Sequence, residues 1–152
     1  IAPLHHAATH HEGKKVFVLG AKTASELLYL EKFEKMGEVL VSTDDGSKGF
    51  HGFVPDLLES YLEEINPAGI SFFNCGPEAA MKKADEIEAR HVSGKDIYHL
   101  VERMTCCGVG ICGKCSTPNG KRACVDGPVF NALEFKPGIY TRDKTGNKVR
   151  LS

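Results

Sequence analysis

Tryptophan is absent from this 152-residue chain, and no apolar run approaches the roughly 18 residues that a membrane-spanning helix needs. An excess of one charge is lacking too. Nineteen Lys and Arg stand against 20 Asp and Glu, a net charge of −1 with a pI near 6.7. That balance argues against nucleic acid as the main partner, which would call for a basic stripe. The N-terminus has no charged start, apolar stretch and small-residue cleavage site, so no secretory signal is visible and a cytoplasmic location is expected. Methionine does not open the chain: the first residue is Ile1, and we expect a processed or cut chain.

What is present suffices for a core. Hydrophobic residues make up 41% and charged residues 26%, a globular composition for one domain plus a small module. Pro3 and Gly13 bracket a short helix over Leu4 to Glu12. The apolar run Lys15 to Leu19, ending at Gly20, predicts a strand buried on both faces. Thr23 with Glu26 three residues on is a capping box for a helix over Ala24 to Met36, with Leu27, Leu28, Leu30 and Phe33 as its buried stripe. A strand over Glu38 to Ser42 runs into the polar loop Thr43 to Gly49. A helix from Val54 to Glu64 buries Leu57, Leu58, Tyr61 and Leu62. A strand over Ile70 to Phe73 leads through Asn74, Cys75 and Gly76 to Pro77, which opens a helix to about Arg90. The charged runs Glu31 to Glu38 and Met81 to Arg90 read as solvated helix faces. Alternating helix and strand is the pattern of a parallel α/β sheet. Because a helix comes first, a strand is expected to be missing before Ile1.

Beyond Ser93 the character changes. Lys95 to Met104 fits either a strand or a short helix, Thr105 to Gly127 is too glycine-rich for regular structure, and the tail reads as a hairpin around Lys144 to Asn147. A module boundary falls near residue 92, giving 1–92 and 93–152.

Five of the six cysteines crowd between Cys106 and Cys124, and Cys75 stands alone. A secreted disulfide scaffold would spread its bridges, so the crowding points to an intracellular metal or redox site. Four residues separate Cys107 from Cys112, two separate Cys112 from Cys115, and eight precede Cys124. That is the spacing of plant-type [2Fe–2S] ferredoxins. Two irons bridged by two sulfides need two pairs of thiolates and a loop that wraps closely. Gly108, Gly110 and Gly113 give that freedom and bring N–H groups to the sulfurs. Lys114, Lys121 and Arg122 are favourable charges for an anionic cluster. A structural Zn²⁺ is the alternative, though it usually takes two pairs of two-residue spacing, of which only Cys112 and Cys115 make one. Using Cys106 in place of Cys107 gives a five-residue spacing.

Val16 to Leu30, the loop Ser42 to Ser47 with Gly49 and Gly52, and Asn74 to Glu78 resemble the NAD(P)-binding half of ferredoxin–NADP reductase-type flavoproteins. With the cysteine loop and Cys124 to Phe130, the chain resembles the electron-transfer subunit of class B, NAD-dependent dihydroorotate dehydrogenase. The resemblance implies an α/β parallel-sheet nucleotide-binding domain, its first strand missing, followed by a small Cys-rich [2Fe–2S] module with short strands. It implies metal ligation by Cys107, Cys112, Cys115 and Cys124. Gly20, Thr43, Asp44, Asp45, Gly46, Cys75, Gly76 and Pro77 would contact nucleotide or flavin, at C-terminal strand ends where open α/β sheets bind such ligands. Asp44 to Gly46 is also simply a good turn, and Cys75 an ordinary core thiol. The FAD-binding barrel of the family is expected before Ile1.

The implied activity is electron transfer between NAD(P), FAD and a flavin-containing partner subunit that oxidises dihydroorotate to orotate. A hydrogenase or NADH–ferredoxin reductase subunit is the rival within the class, and a non-enzymatic zinc or redox-sensing module the rival outside it. No general acid or base stands out, and Lys22 beside a strand end is weak evidence on NAD versus NADP. His5, His6, His10 and His11 read as a solvated helix face, because no carboxylate or Cys completes a ligand set.

Overall fold

The computed structural model describes residues 1–138 in full and residues 140–142 and 148–150 as backbone strands. The chain forms two compact units, Ile1–Pro67 and Ala68–Ser152.

In the first unit, α1 (Ala2–Thr9) precedes β1 (Val16–Ala21), a 3₁₀ turn (Ala24–Glu26), α2 (Leu30–Glu34), β2 (Glu38–Thr43), β3 (Phe50–His51) and α3 (Val54–Glu64). The three strands lie in the order β1, β2, β3, all parallel, with Val16 opposite Glu38 and Ala21 opposite Thr43. Burial along β1 alternates, with Phe17 and Leu19 inside and Val16 and Val18 half-buried. The expected two-sided burial is therefore not what β1 shows within this unit. Phe33 is the centre of the core, fully buried against Phe17 (ring centroids 4.7 Å apart), Leu19 and Ala8, with Leu30, Met36 and Val39 around them.

The long helix expected from Ala24 to Met36 is instead a 3₁₀ turn and five residues of α2. The capping box does not form. Thr23 Oγ1 pairs with Ser25 Oγ at 2.8 Å, while Ser47 Oγ accepts the Ala24 N–H at 2.8 Å. Tyr29 then takes a left-handed conformation at φ 64°, which an α-helix cannot continue through. Phe33 keeps its buried place; Leu28 ends up exposed.

In the second unit, β4 (Phe72–Cys75), α4 (Glu78–Glu88), a 3₁₀ turn (Gly94–Asp96), β5 (Ile97–Leu100), α5 (Ala123–Asp126) and β6 (Val129–Asn131) follow in order. Strand β5 is central, parallel to β4 and antiparallel to β6. The short strands β7 (Tyr140–Arg142) and β8 (Lys148–Arg150) pair antiparallel. The turn expected between them, Lys144 to Asn147, lies outside the described residues. Val101, Cys115, Ala123, Phe130 and Phe135 form the core. The compact units divide between Pro67 and Ala68, not near residue 92, because β4 and α4 build one sheet and one core with the strands that flank the cysteine loop. Among the described residues no helix is long and apolar enough to cross a membrane.

Truncating the Phe33 ring leaves a cavity that the rigid β1–β2 ladder cannot close. Phe33→Ala should cost about 3–5 kcal/mol of stability, read as a lowered midpoint in urea denaturation. Leu28→Ala, at an exposed position, should leave the midpoint within about 0.5 kcal/mol of wild type.

Candidate cofactor sites

The cysteine loop runs from Thr105 to Gly127 without regular structure until α5. Gly108, Gly110 and Gly113 sit at φ 71°, 77° and 68°, backbone that side chains with a Cβ rarely adopt. The loop so shaped turns its N–H groups inward. Cys107 accepts hydrogen bonds from the backbone of Cys112, Val109 and Ile111 and from the Cys112 thiol, and these hold its pKa down at about 6. A second pair is built by a hairpin. Thr117 N donates to Lys121 O at 2.7 Å, Ser116 bridges to Arg122, and Ala123 N donates to Cys115 O at 3.1 Å. Nine residues apart in sequence, Cys115 and Cys124 thus come to lie with their sulfurs 3.3 Å apart. The Cys124 backbone N–H, helped by its thiol, lowers the pKa of Cys115. Cys124 itself is pushed up by that shared proton and by burial, against a lowering hydrogen bond from Gly110 N–H.

The thiols therefore fall into two pairs, Cys107 with Cys112 and Cys115 with Cys124, each supplied with backbone donors. Among the described residues no three His, Cys, Asp or Glu side chains gather as one compact metal-binding set. Cys106 is exposed beside them. Arg122 ties the loop's halves, donating from Nη1 to Gly110 O at 3.0 Å and from its backbone to Asp126 Oδ2 at 2.7 Å. Lys121, expected to face the cluster, is paired with Glu134 at 2.9 Å instead. Val109, Ile111 and Val125 expose apolar side chains around the loop, Ile111 the most at 85%.

The residues expected to contact nucleotide lie on both units. On the first, Gly20 and Thr43 sit at the C-terminal ends of β1 and β2, and Gly46 has φ 73°. A Cβ on Gly20 would run into Val54 Cγ2, so packing of α3 on β1 already accounts for that glycine. Thr43 is buried, and its hydroxyl donates to Lys48 O at 2.9 Å. Asp45 accepts from Ser47 N at 2.9 Å and Ser47 Oγ at 2.6 Å, which lowers its pKa. It makes the turn, while Asp44 beside it is exposed. On the second unit, Cys75 closes β4 half-buried and Pro77 is the N-cap of α4. A Cβ on Gly76 would meet nothing within 4 Å. Cys75 pairs across β5 with Leu100, which pairs with Val129 of β6. The end of β4 and the exit of the cysteine loop therefore share one row of a sheet.

A buried polar cluster was not foreseen. Asp85 and Glu88, read from sequence as part of a solvated face, are 7% and 1% exposed. His99, wholly buried on β5, donates from Nε2 to Asp85 Oδ1 at 3.1 Å, and Lys136 Nζ reaches Asp85 Oδ2 at 3.0 Å. Burial acts most strongly on Asp85 and raises its pKa, yet the hydrogen bonds from His99 and Lys136 with the Lys136 charge outweigh it, so the net shift is down. Glu88, held by Asn74 Nδ2 at 2.7 Å, goes the other way. Burial, reinforced by the Asp85 charge, raises its pKa from the ordinary 4.5 to about 8 despite that bond. Met81, Ala84, Asp85 and Glu88 recur at helical spacing on the buried face of α4; that period was the available signal.

Residues 102–136 match the family described as the iron–sulfur cluster binding domain of dihydroorotate dehydrogenase B. That segment is a member of the family. Over most of its length the chain is similar to probable dihydroorotate dehydrogenase B (NAD⁺) electron transfer subunits. The protein of Methanocaldococcus jannaschii is 41% identical over 137 residues, covering 87% of this chain and 52% of that protein. The electron transfer subunit of Fusobacterium nucleatum is 35% identical over 128 residues, covering 81% and 48%. The chain spans about half the length of the curated relatives it matches. Among solved structures, that of the NADH-dependent reduced ferredoxin–NADP oxidoreductase, studied for flavin-based electron bifurcation, is similar with a TM-score of 0.65. It is 30% identical, over 87% of this chain and 48% of that one. The α/β parallel-sheet fold with an iron–sulfur binding segment agrees with these likenesses.

Glu88 yields a signed prediction. Its folded pKa lies above the ordinary one, so the unfolded chain loses this proton first as pH rises. Stability in urea should fall between about pH 4.5 and about pH 8 and then level off. Glu88→Gln, which keeps an acceptor for Asn74, should flatten that fall and exceed wild-type stability at pH 8. An unchanged pH profile in the variant would show that Glu88 is ionised in the folded chain.

Proposed function

We propose that this chain passes electrons between a nicotinamide nucleotide, FAD and a flavin-containing partner subunit through a [2Fe–2S] cluster, in the oxidation of dihydroorotate to orotate. The observation that carries it is the pair of thiol pairs, Cys107 with Cys112 and Cys115 with Cys124, within the segment that matches the iron–sulfur family. Those four are the proposed ligands. Such a cluster accepts and releases single electrons. Around it the chain supplies N–H donors from Val109, Ile111 and Cys112, which stabilise the thiolates and raise the reduction potential. Arg122 holds the loop's two halves in register. Val109, Ile111 and Val125 form an apolar rim suited to the partner subunit.

Residues 1–92 form the nucleotide-binding part in this reading and 93–152 the cluster module. Gly20, Thr43, Asp44, Asp45 and Gly46 at the ends of β1 and β2, and Cys75, Gly76 and Pro77 after β4, are the proposed nucleotide and flavin contacts, with the FAD held mainly by the remainder of the longer family polypeptide. Open space above Gly76 supports the second group. The chain's role is positioning and tuning, so no general acid or base on it is needed.

After anaerobic reconstitution with iron and sulfide, the chain should carry about two irons and two labile sulfides and show visible bands that bleach with dithionite. Cys107→Ser, Cys112→Ser, Cys115→Ser and Cys124→Ser should each lose most of that colour, and Cys106→Ser should keep it. A colourless chain with one zinc would overturn the reading. For the partner, Ile111→Glu in the full-length subunit should keep the cluster but weaken co-purification with the dihydroorotate-oxidising subunit by about tenfold or more, a loss of at least ~1.4 kcal/mol.

A further inference from the structure

Four residues before Cys107, the side chain of Arg103 turns away from solvent. It is 6% exposed, and its Nη1 donates to Glu78 Oε1 at 2.5 Å, a glutamate whose own side chain is 14% exposed. The same nitrogen donates to Glu102 O at 2.8 Å. The Phe135 ring centroid lies 6.0 Å from Arg103 Cζ, at the limit of a cation–π contact. Phe135 in turn belongs to the core that holds Cys115. Glu78 is the first residue of α4, three positions past Cys75. The ion pair therefore spans from the turn after β4 to the entry of the cysteine loop.

Stability alone is a poor reason for such a pair. Desolvating two charges costs much of what their attraction returns, and apolar side chains of similar volume serve a fold as well. What the pair supplies is placement. Backbone holds the turn after β4 on both sides, through the Cys75–Leu100 pairing before it and α4 after it. The loop entry lacks that support. Val101 N still donates to Pro128 O at 2.9 Å, but Glu102 to Thr105 have no regular secondary structure. The sheet row through Leu100 and Val129 ties the loop's exit to the end of β4. Arg103 ties its entry to Glu78, just past the same strand end, so the four cysteines hang between two attachments to one turn.

We propose, resting on the reading of that turn as a nucleotide and flavin contact and of the loop as a cluster site, that Arg103 and Glu78 are positioning residues for electron transfer. The pair fixes the loop entry, and with it Cys107, against the turn at the end of β4. In that reading NADH delivers two electrons as hydride to the FAD of the full-length subunit, and one of them then reduces the cluster. Freeze-quench EPR counts the reduced clusters while absorbance follows the flavin. Arg103→Met and Glu78→Met each strand a charge and should lower the urea midpoint, whereas the double variant, with neither charge, should regain most of that loss. Its reduced cluster should still show EPR g-values displaced from wild type. Cluster reduction should also lag flavin reduction by about tenfold more than in wild type, since small misplacements carry large rate costs. Glu78→Gln, of the same size, carries the test should the double variant hold no cluster. Wild-type g-values and an unchanged lag in these variants would overturn the proposal and leave the pair a packing contact. A wild-type subunit with no EPR signal on reduction would instead overturn the electron-transfer reading, and the positioning role with it.

Discussion

Mutual repulsion among thiolates is the constraint around which the second unit is arranged. Two cysteines paired in this way resist ionising together, and in each pair one sulfur is lowered while the other donates to it. What offsets the repulsion is backbone. The N–H groups of Val109, Ile111 and Cys112 point at one sulfur, and those of Cys124 and Gly110 serve the other pair. Only a chain free to take positive φ at three glycines can turn so many amides toward one side. The price is a loop with almost no ladder hydrogen bonds. It therefore leans on Arg122, on the Ser116–Arg122 bridge and on a core in which Cys115 is itself a packed residue.

Much of this was legible in the cysteine spacing, because ligand spacing and glycine placement are local properties. The helix Val54 to Glu64 was equally readable: its apolar period is strong, Pro55 sits in its first turn, and the observed bounds agree. The stretch Ala24 to Met36 failed for a non-local reason. Ser47, 23 residues beyond Ala24, accepts the Ala24 amide, the Thr23 hydroxyl is engaged by Ser25 Oγ, and Tyr29 breaks the path. The compact units likewise divide away from the change in composition. Composition changes near residue 92, but strand pairing joins β4 to β5, and pairing partners are not written in local composition.

The buried carboxylates were the least legible. Charge on a helix defaults to solvent, and Lys82, Lys83 and Glu86, interleaved with Asp85 and Glu88, disguise a polar stripe as a solvated face. The helical period of Met81, Ala84, Asp85 and Glu88 was visible; their partners were not, since His99 and Lys136 lie 14 and 51 residues beyond Asp85. Asp85 and Glu88 meet burial in opposite ways, one kept ionised by His99 and Lys136, the other made weakly acidic by burial and the Asp85 charge despite its bond from Asn74.

The row Cys75–Leu100–Val129 fixes a length. Strand neighbours lie about 4.8 Å apart, so the two ends of that row are about 10 Å from each other, and backbone hydrogen bonds, not side-chain contacts, set the figure. Tunnelling rates fall exponentially with separation. For any redox groups seated at the end of β4 and at the exit of the cysteine loop, a three-strand spacer of this kind suppresses the thermal spread in separation, so that successive electrons cross the same gap.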